Sequence, residues 1–233
     1  MTEGEGEGRS GRQASRRPAA VYSLIVGLAF IAIVLIAGIN ALSTDDSGLV
    51  TPEDEGLPLA QFAVPDVRSD LTGDANIAQD DCESPAVPCP EGDRRDPACE
   101  IEVKGAIRVC DLFDRPLVLA FWFTRGGECE AAQDSFEAAY RRFRRRVNFL
   151  AVNVRDDRDE VRNLIAERGW THPIGLDSDG ALSNLYRIGA CPTYLYVYPG
   201  GILEGVAIGD ESDLDTGIEK LLAGSRERAE EVS

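Results

Sequence analysis

The sequence predicts an α/β domain, a central mixed β-sheet with helices on both faces, set behind one long apolar segment. Three observations predict it. The stretch PLVLAFWFTRGGEC, Pro116 to Cys129, joins a run with no polar residue, Leu117–Phe123, to a turn and a helix start. Strand-like and helix-like runs then alternate, and PTYLYVYPGGILEGVAI supplies a hairpin before a last helix. Finally, Val21–Leu42 carries no charged residue.

Composition narrows the function classes. The 233 residues carry a formal net charge of −17, and from Ser43 to Glu100 only Arg68, Arg94 and Arg95 oppose many carboxylates. Such a surface repels nucleic acid and anionic lipid and reads first as a solubility device. Six cysteines behind an export-type amino terminus fit an oxidising compartment.

Residues 1–20 are Gly, Glu, Arg and Ser without apolar periodicity and are expected to form a disordered cytoplasmic tail. Residues 21–42 are expected to cross the cell membrane once as a helix. Arg9, Arg12, Arg16 and Arg17 would hold the amino terminus inside and leave the domain extracytoplasmic. A cleaved signal peptide ending near Ala41-Leu42-Ser43 is the competing reading, but the apolar run is longer than a signal core. Residues 43–56 form a polar linker. The domain is expected over 57–224, with a cysteine-containing surface insertion at 78–98 and a charged tail at 225–233.

Within the domain, Pro58 and Pro65 suit edge strands or a lead-in loop. Cys99–Val103 and Ala106–Cys110 alternate around Lys104-Gly105 and predict a β-hairpin, which would set Cys99 near Cys110 for a structural disulfide. Cys82 and Cys89 remain as a second structural pair, although six cysteines permit many pairings. After the Leu117–Phe123 strand, a helix starts near Cys129 with Phe136, Ala139, Tyr140 and Phe143 on one face. Unpaired amides and the dipole at a helix amino end favour thiolate over thiol, which marks Cys129 as a reactive cysteine. Val147–Val154 is predicted as a strand and Arg158–Gly169 as a helix with its stop at Gly169. Pro173–Leu176 leads into a short helix, Ser178–Tyr186. Pro192–Tyr198 and Ile202–Ile208 pair about Pro199-Gly200-Gly201, and Asp210–Leu222 closes the domain as a helix.

This order resembles the thioredoxin fold, and its details resemble the membrane-anchored extracytoplasmic thioredoxin-like proteins of the TlpA/ResA type. Four features carry the resemblance: the FWFT strand end, the helix-start Cys129, the segment Gly189-Ala190-Cys191-Pro192-Thr193, and the YPGG turn. It covers about Leu57 to Leu222. The resemblance implies a cis Pro192 shaping a substrate groove, and thiol-disulfide exchange with protein thiols or disulfides in the cell envelope. It calls for no cofactor. Family members read FWATWCxxC, so the first cysteine falls on Gly126 and the second on Cys129: the dithiol motif is degenerate here. In this fold the residue before the cis proline lies against the helix-start cysteines. Cys129 is therefore expected to attack and Cys191 to resolve. The same two sulfurs also read as a permanent staple, or Cys191 as a small buried filler.

Other constellations are weaker. Thr124, Arg125 and Cys129 resemble the peroxiredoxin site, where Cys129 would form a sulfenic acid and condense with Cys191, but Thr124 stands further from the cysteine than in that family. A non-catalytic thioredoxin-like binding or structural module is the third reading, favoured by the glycine at Gly126. His172, the only histidine, reads as a surface or strand-entry residue. One histidine and no Cys-x-x-Cys make no metal shell, and Gly126-Gly127 precedes no Gly-Lys-Ser/Thr of a phosphate loop. Arg141, Arg142, Arg144, Arg145 and Arg146 suit the carboxyl end of a helix. Trp122 sits beside the turn or in the core.

Overall fold

The structure is a computed structural model that describes residues 55–73, 75–77, 97–125, 129–209 and 213–231, together with Gly27. The chain divides into two units, Met1–Ser47 and Gly48–Ser233, and all the elements below belong to the second. The expected tail, the Val21–Leu42 span apart from Gly27, the linker as far as Asp54, Cys82, Cys89 and Gly126 lie outside the described residues. Among the described residues no helix is long and apolar enough to cross a membrane.

Strand β3 (Leu117–Trp122) is buried at every position, as its unbroken apolar run requires. It occupies the middle of a five-stranded sheet with β4 (Asn148–Val154), β5 (Ile174–Asp177), β6 (Thr193–Tyr198) and β7 (Ile202–Ile208), in the order β5-β4-β3-β6-β7. The pairs β3–β4 and β4–β5 are parallel, while β3–β6 and β6–β7 are antiparallel, so the sheet is mixed. Two crossovers carry the chain from β3 to β4 to β5: α1 (Cys129–Phe143) and α2 (Arg158–Arg168). Both step the same way across the sheet. Right-handed connection then places both helices on one face. There Phe136, Phe143, Val161 and Ile165 pack with Val118, Ala120 and Trp122, joined by Ile218 and Leu221 of α4 (Leu214–Glu231).

The opposite face is covered differently. Leu119, Phe121, Leu150 and Leu195 meet Val64 from a two-stranded layer, β1 (Ala63–Pro65) with β2 (Ala106–Arg108), Phe62 just before it, and Leu182 of α3 (Ala181–Leu185). Asp157 caps α2 by accepting from the amides of Asp159 (2.9 Å) and Glu160 (3.2 Å), and Gly169 ends it at φ 68°.

Three expectations change. The segment 99–103 is not a strand: β2 pairs with β1, and Arg108 donates to the carbonyls of Cys99 and Ile101, so a side chain satisfies backbone that a hairpin would have paired. Cys99 and Cys110 are nonetheless joined, their Cα atoms 5.7 Å apart. The residues Ile174–Asp177, read as a lead-in, form a buried parallel strand. The carboxyl-terminal segment expected as a charged tail continues α4 through Glu231, because RERAEE holds helix formers and no breaker.

Candidate active site

β3 and β6 run antiparallel with Phe121 opposite Thr193, so the carboxyl end of β3 meets the amino end of β6. After β3 the next element is α1, which starts at Cys129, and Cys191-Pro192 leads into β6. This register brings together two cysteines 62 positions apart. Cys129 and Cys191 are joined as a disulfide, with Cα atoms 5.8 Å apart, and the Cys191–Pro192 peptide is cis. The two cysteines are unequal in exposure: Cys129 is 2% exposed and Cys191 half-buried. Pro192 is buried, and its carbonyl accepts the Gly209 amide at 2.9 Å, which ties the end of β7 to the site. A cleft of about 500 Å³ opens alongside, lined by Ala131, Ala132 and Ser135 of α1, by Pro192 and Tyr194, and by Gly209 and Asp213.

A carboxylate holds Thr124 and Arg125, the residues shortly after β3. Asp156, whose side chain is almost wholly buried, accepts the Thr124 amide at 2.6 Å and the Asn153 amide group at 2.8 Å. Arg125 lies 3.5 Å from the other oxygen of Asp156 and also donates to the Arg155 carbonyl at 2.8 Å. Thr124 Oγ1 donates to Glu160 at 3.3 Å. Thr124 and Arg125, the pair behind the peroxiredoxin resemblance, are thus engaged by Asp156 of the β4–α2 connection and Glu160 in the first turn of α2.

Further along α1, Glu137 accepts from the Thr171 amide (2.8 Å), Thr171 Oγ1 (2.7 Å), the His172 amide (3.0 Å) and Arg141 Nε (2.6 Å). His172 Nδ1 lies 2.8 Å from the same carboxylate. Burial alone would raise the Glu137 carboxyl, but these donors outweigh it and hold it at about 2. Burial lowers His172 to about 4 against the opposing pull of Glu137, so a neutral imidazole donates through Nδ1 at pH 7. His172 precedes a strand as expected but is fully buried, not at the surface. The reason is a carboxylate 35 positions away that no local pattern reveals. Trp122 is core, packed edge-on against Trp170 at 5.4 Å.

Sequence reasoning missed Asp156, Glu137 and Gln133. The last was within reach, since it follows Cys129 by one helical turn on the face that must be buried. The basic run is divided among partners: Arg141 pairs with Glu137, Arg142 with Asp215, and Arg144 and Arg146 lie over the rings of Tyr140 and Phe143. Among the described residues no cluster could hold a metal ion.

Comparison with known proteins matches the AhpC/TSA family over residues 95–206. The thiol-disulfide oxidoreductase ResA of Oceanobacillus iheyensis is 27% identical over 107 residues, which are 46% of this chain and 56% of that protein. ResA of Bacillus subtilis is 28% identical over 104 residues, 44% of this chain and 58% of its own. The chain therefore spans under two thirds of the length of these relatives. Among solved structures, a thiol:disulfide interchange protein of the thioredoxin family from Chlorobium tepidum superposes with a TM-score of 0.50 at 15% identity. That match covers 71% of this chain and 95% of the other, a likeness of fold.

Proposed function

We propose, for a chain that belongs to the thioredoxin-like proteins of the ResA/TlpA type, that Cys129 and Cys191 form a disulfide that exchanges with the thiols and disulfides of other proteins. One observation carries the reading: the cysteine at the start of α1 and the cysteine before cis Pro192 meet beside an open cleft.

Access divides the roles. A substrate thiolate reaches the half-buried Cys191 more readily than the buried Cys129. Attack there forms a mixed disulfide, and the electron pair of the broken S–S bond leaves on Cys129, where the helix amino terminus favours the anion. A second substrate thiolate then attacks the mixed disulfide and releases Cys191. Two electrons pass to the protein and the substrate leaves as a disulfide. In the reverse direction Cys191 attacks and Cys129 resolves, an exchange of the roles that helix position alone suggests. Pro192 forms one wall where a substrate strand would lie.

The proposal extends to place. The uncharged Val21–Leu42 behind four arginines supports a single-pass anchor with the domain in the cell envelope, where protein thiols and disulfides are the substrates. The burial of Cys129 also suits a permanent staple, and activity separates the two readings. Full-length chain in detergent should catalyse insulin reduction by dithiothreitol, and Cys129→Ser and Cys191→Ser should each abolish it. Equal, background rates in all three would leave only the staple or a binding module.

A further inference from the structure

Gln133 is fully buried, and neither its amide nitrogen nor its amide oxygen has a hydrogen-bond partner. Its neighbours on α1 are engaged: Asp134 accepts from Trp170 Nε1 (2.8 Å) and Arg168 (3.0 Å), and Glu137 binds Thr171, His172 and Arg141. Gln133 stands outside that network. A buried carboxamide with no partner opposes folding, and an apolar side chain of the same volume would fit at less cost. Its position shows what could satisfy it. It follows Cys129 by four residues, so the two share one face of α1, and helical side chains lean toward the amino end, over the preceding turn. Both are sealed from solvent, Cys129 at 2% exposure.

In the closed disulfide, Cys129 Sγ is a poor acceptor. Once the bond opens, it becomes a thiolate that is cut off from water, and a further donor on its own face of α1 lowers the cost of that charge. We propose that Gln133 is the thiolate-stabilising residue of this site, its carboxamide N–H donating to Cys129 Sγ in the reduced protein. The inference rests on the exchange reading above. In the balanced step, a substrate thiolate bonds to Cys191 Sγ and the S–S electron pair moves onto Cys129 Sγ. The Gln133 N–H turns to that anion and keeps its proton. A neutral amide suits the task, because a carboxylate in its place would oppose the charge it has to stabilise.

The test is the pH dependence of Cys129 alkylation by iodoacetamide in the reduced full-length chain, read by peptide mass, for wild type, Gln133→Met and Gln133→Glu. The wild-type midpoint is expected below the ordinary thiol range, and Gln133→Met should raise it by about one pH unit, a tenfold loss of thiolate. Gln133→Glu, which keeps the shape and covers the case in which Met disturbs folding, should raise it further. The oxidised Gln133→Met chain should resist urea as well as or better than wild type, a result no purely structural glutamine would give. A wild-type pair that opens, with one midpoint shared by all three chains, overturns the role of Gln133 alone. A wild-type pair that never opens overturns the exchange reading with it.

Discussion

Glu137 and His172 couple α1 to the rest of the core, and their titration contributes to how the fold responds to acid. Unfolded, the histidine would titrate near 6.5 and the carboxyl near 4.5; folded, they are held at about 4 and about 2. Between pH 6.5 and 4 the unfolded chain binds a proton at His172 that the folded chain does not, so stability falls as pH falls. Glu137 extends the loss from 4.5 down to 2. The stabilisation is complete above pH 6.5. Glu137→Gln replaces a carboxylate that accepts from Thr171, His172 and Arg141 and should lower stability at pH 7 by about 2 kcal/mol. It should also flatten the acid slope below pH 4.5. Urea unfolding followed by tryptophan fluorescence at pH 7 and pH 4 measures both, and matching midpoints for variant and wild type would contradict the account.

At the scale of elements, close approach decides how α4 docks. A Cβ on Gly217 would stand 2.3 Å from Tyr196 Cζ, and Tyr196 is buried in β6. Gly→Ala inside a helix ordinarily stabilises by about 1 kcal/mol. Here Gly217→Ala should instead destabilise by about 1 to 3 kcal/mol, because α4 must lift from the sheet. A rise in thermal midpoint would show that Tyr196 yields. Elements of this kind separate what was legible in the sequence from what was not. β3 and α1 could be read locally, since an unbroken apolar run and a 3.6-residue stripe each specify burial. Ile174–Asp177 could not, because a four-residue strand containing Gly and Asp has too short a pattern, and its pairing with β4 is what makes it a strand. The residues 99–103 misled for the opposite reason. Their alternation is strand-like, but β2 takes β1 as its partner and the Arg108 side chain donates to the carbonyls of Cys99 and Ile101.

At the scale of the molecule, the site is a product of topology. From β3 the chain moves to one side through β4 and β5, then returns to the other side as β6, so the carboxyl end of β3 is where strand order reverses. That reversal sets Cys191 against Cys129. The pairing was legible only through resemblance to a known fold, because nothing in the local sequence around Cys191 points to Cys129. The partners that hold Thr124 and α1, Asp156 and Glu137, were legible in neither way. Both act across long sequence separations on groups that look ordinary in the sequence.

The central claim, that Cys129 and Cys191 exchange while Cys99 and Cys110 brace the fold, is tested most directly by one titration. The full-length chain is equilibrated across thiol redox buffers, quenched by alkylation and mapped without reduction. The account predicts that Cys129–Cys191 opens above about −300 mV, within reach of cellular thiols, while Cys99–Cys110 stays closed there. A Cys129–Cys191 bond that resists reduction throughout that range, or a map in which the two never join, would contradict it.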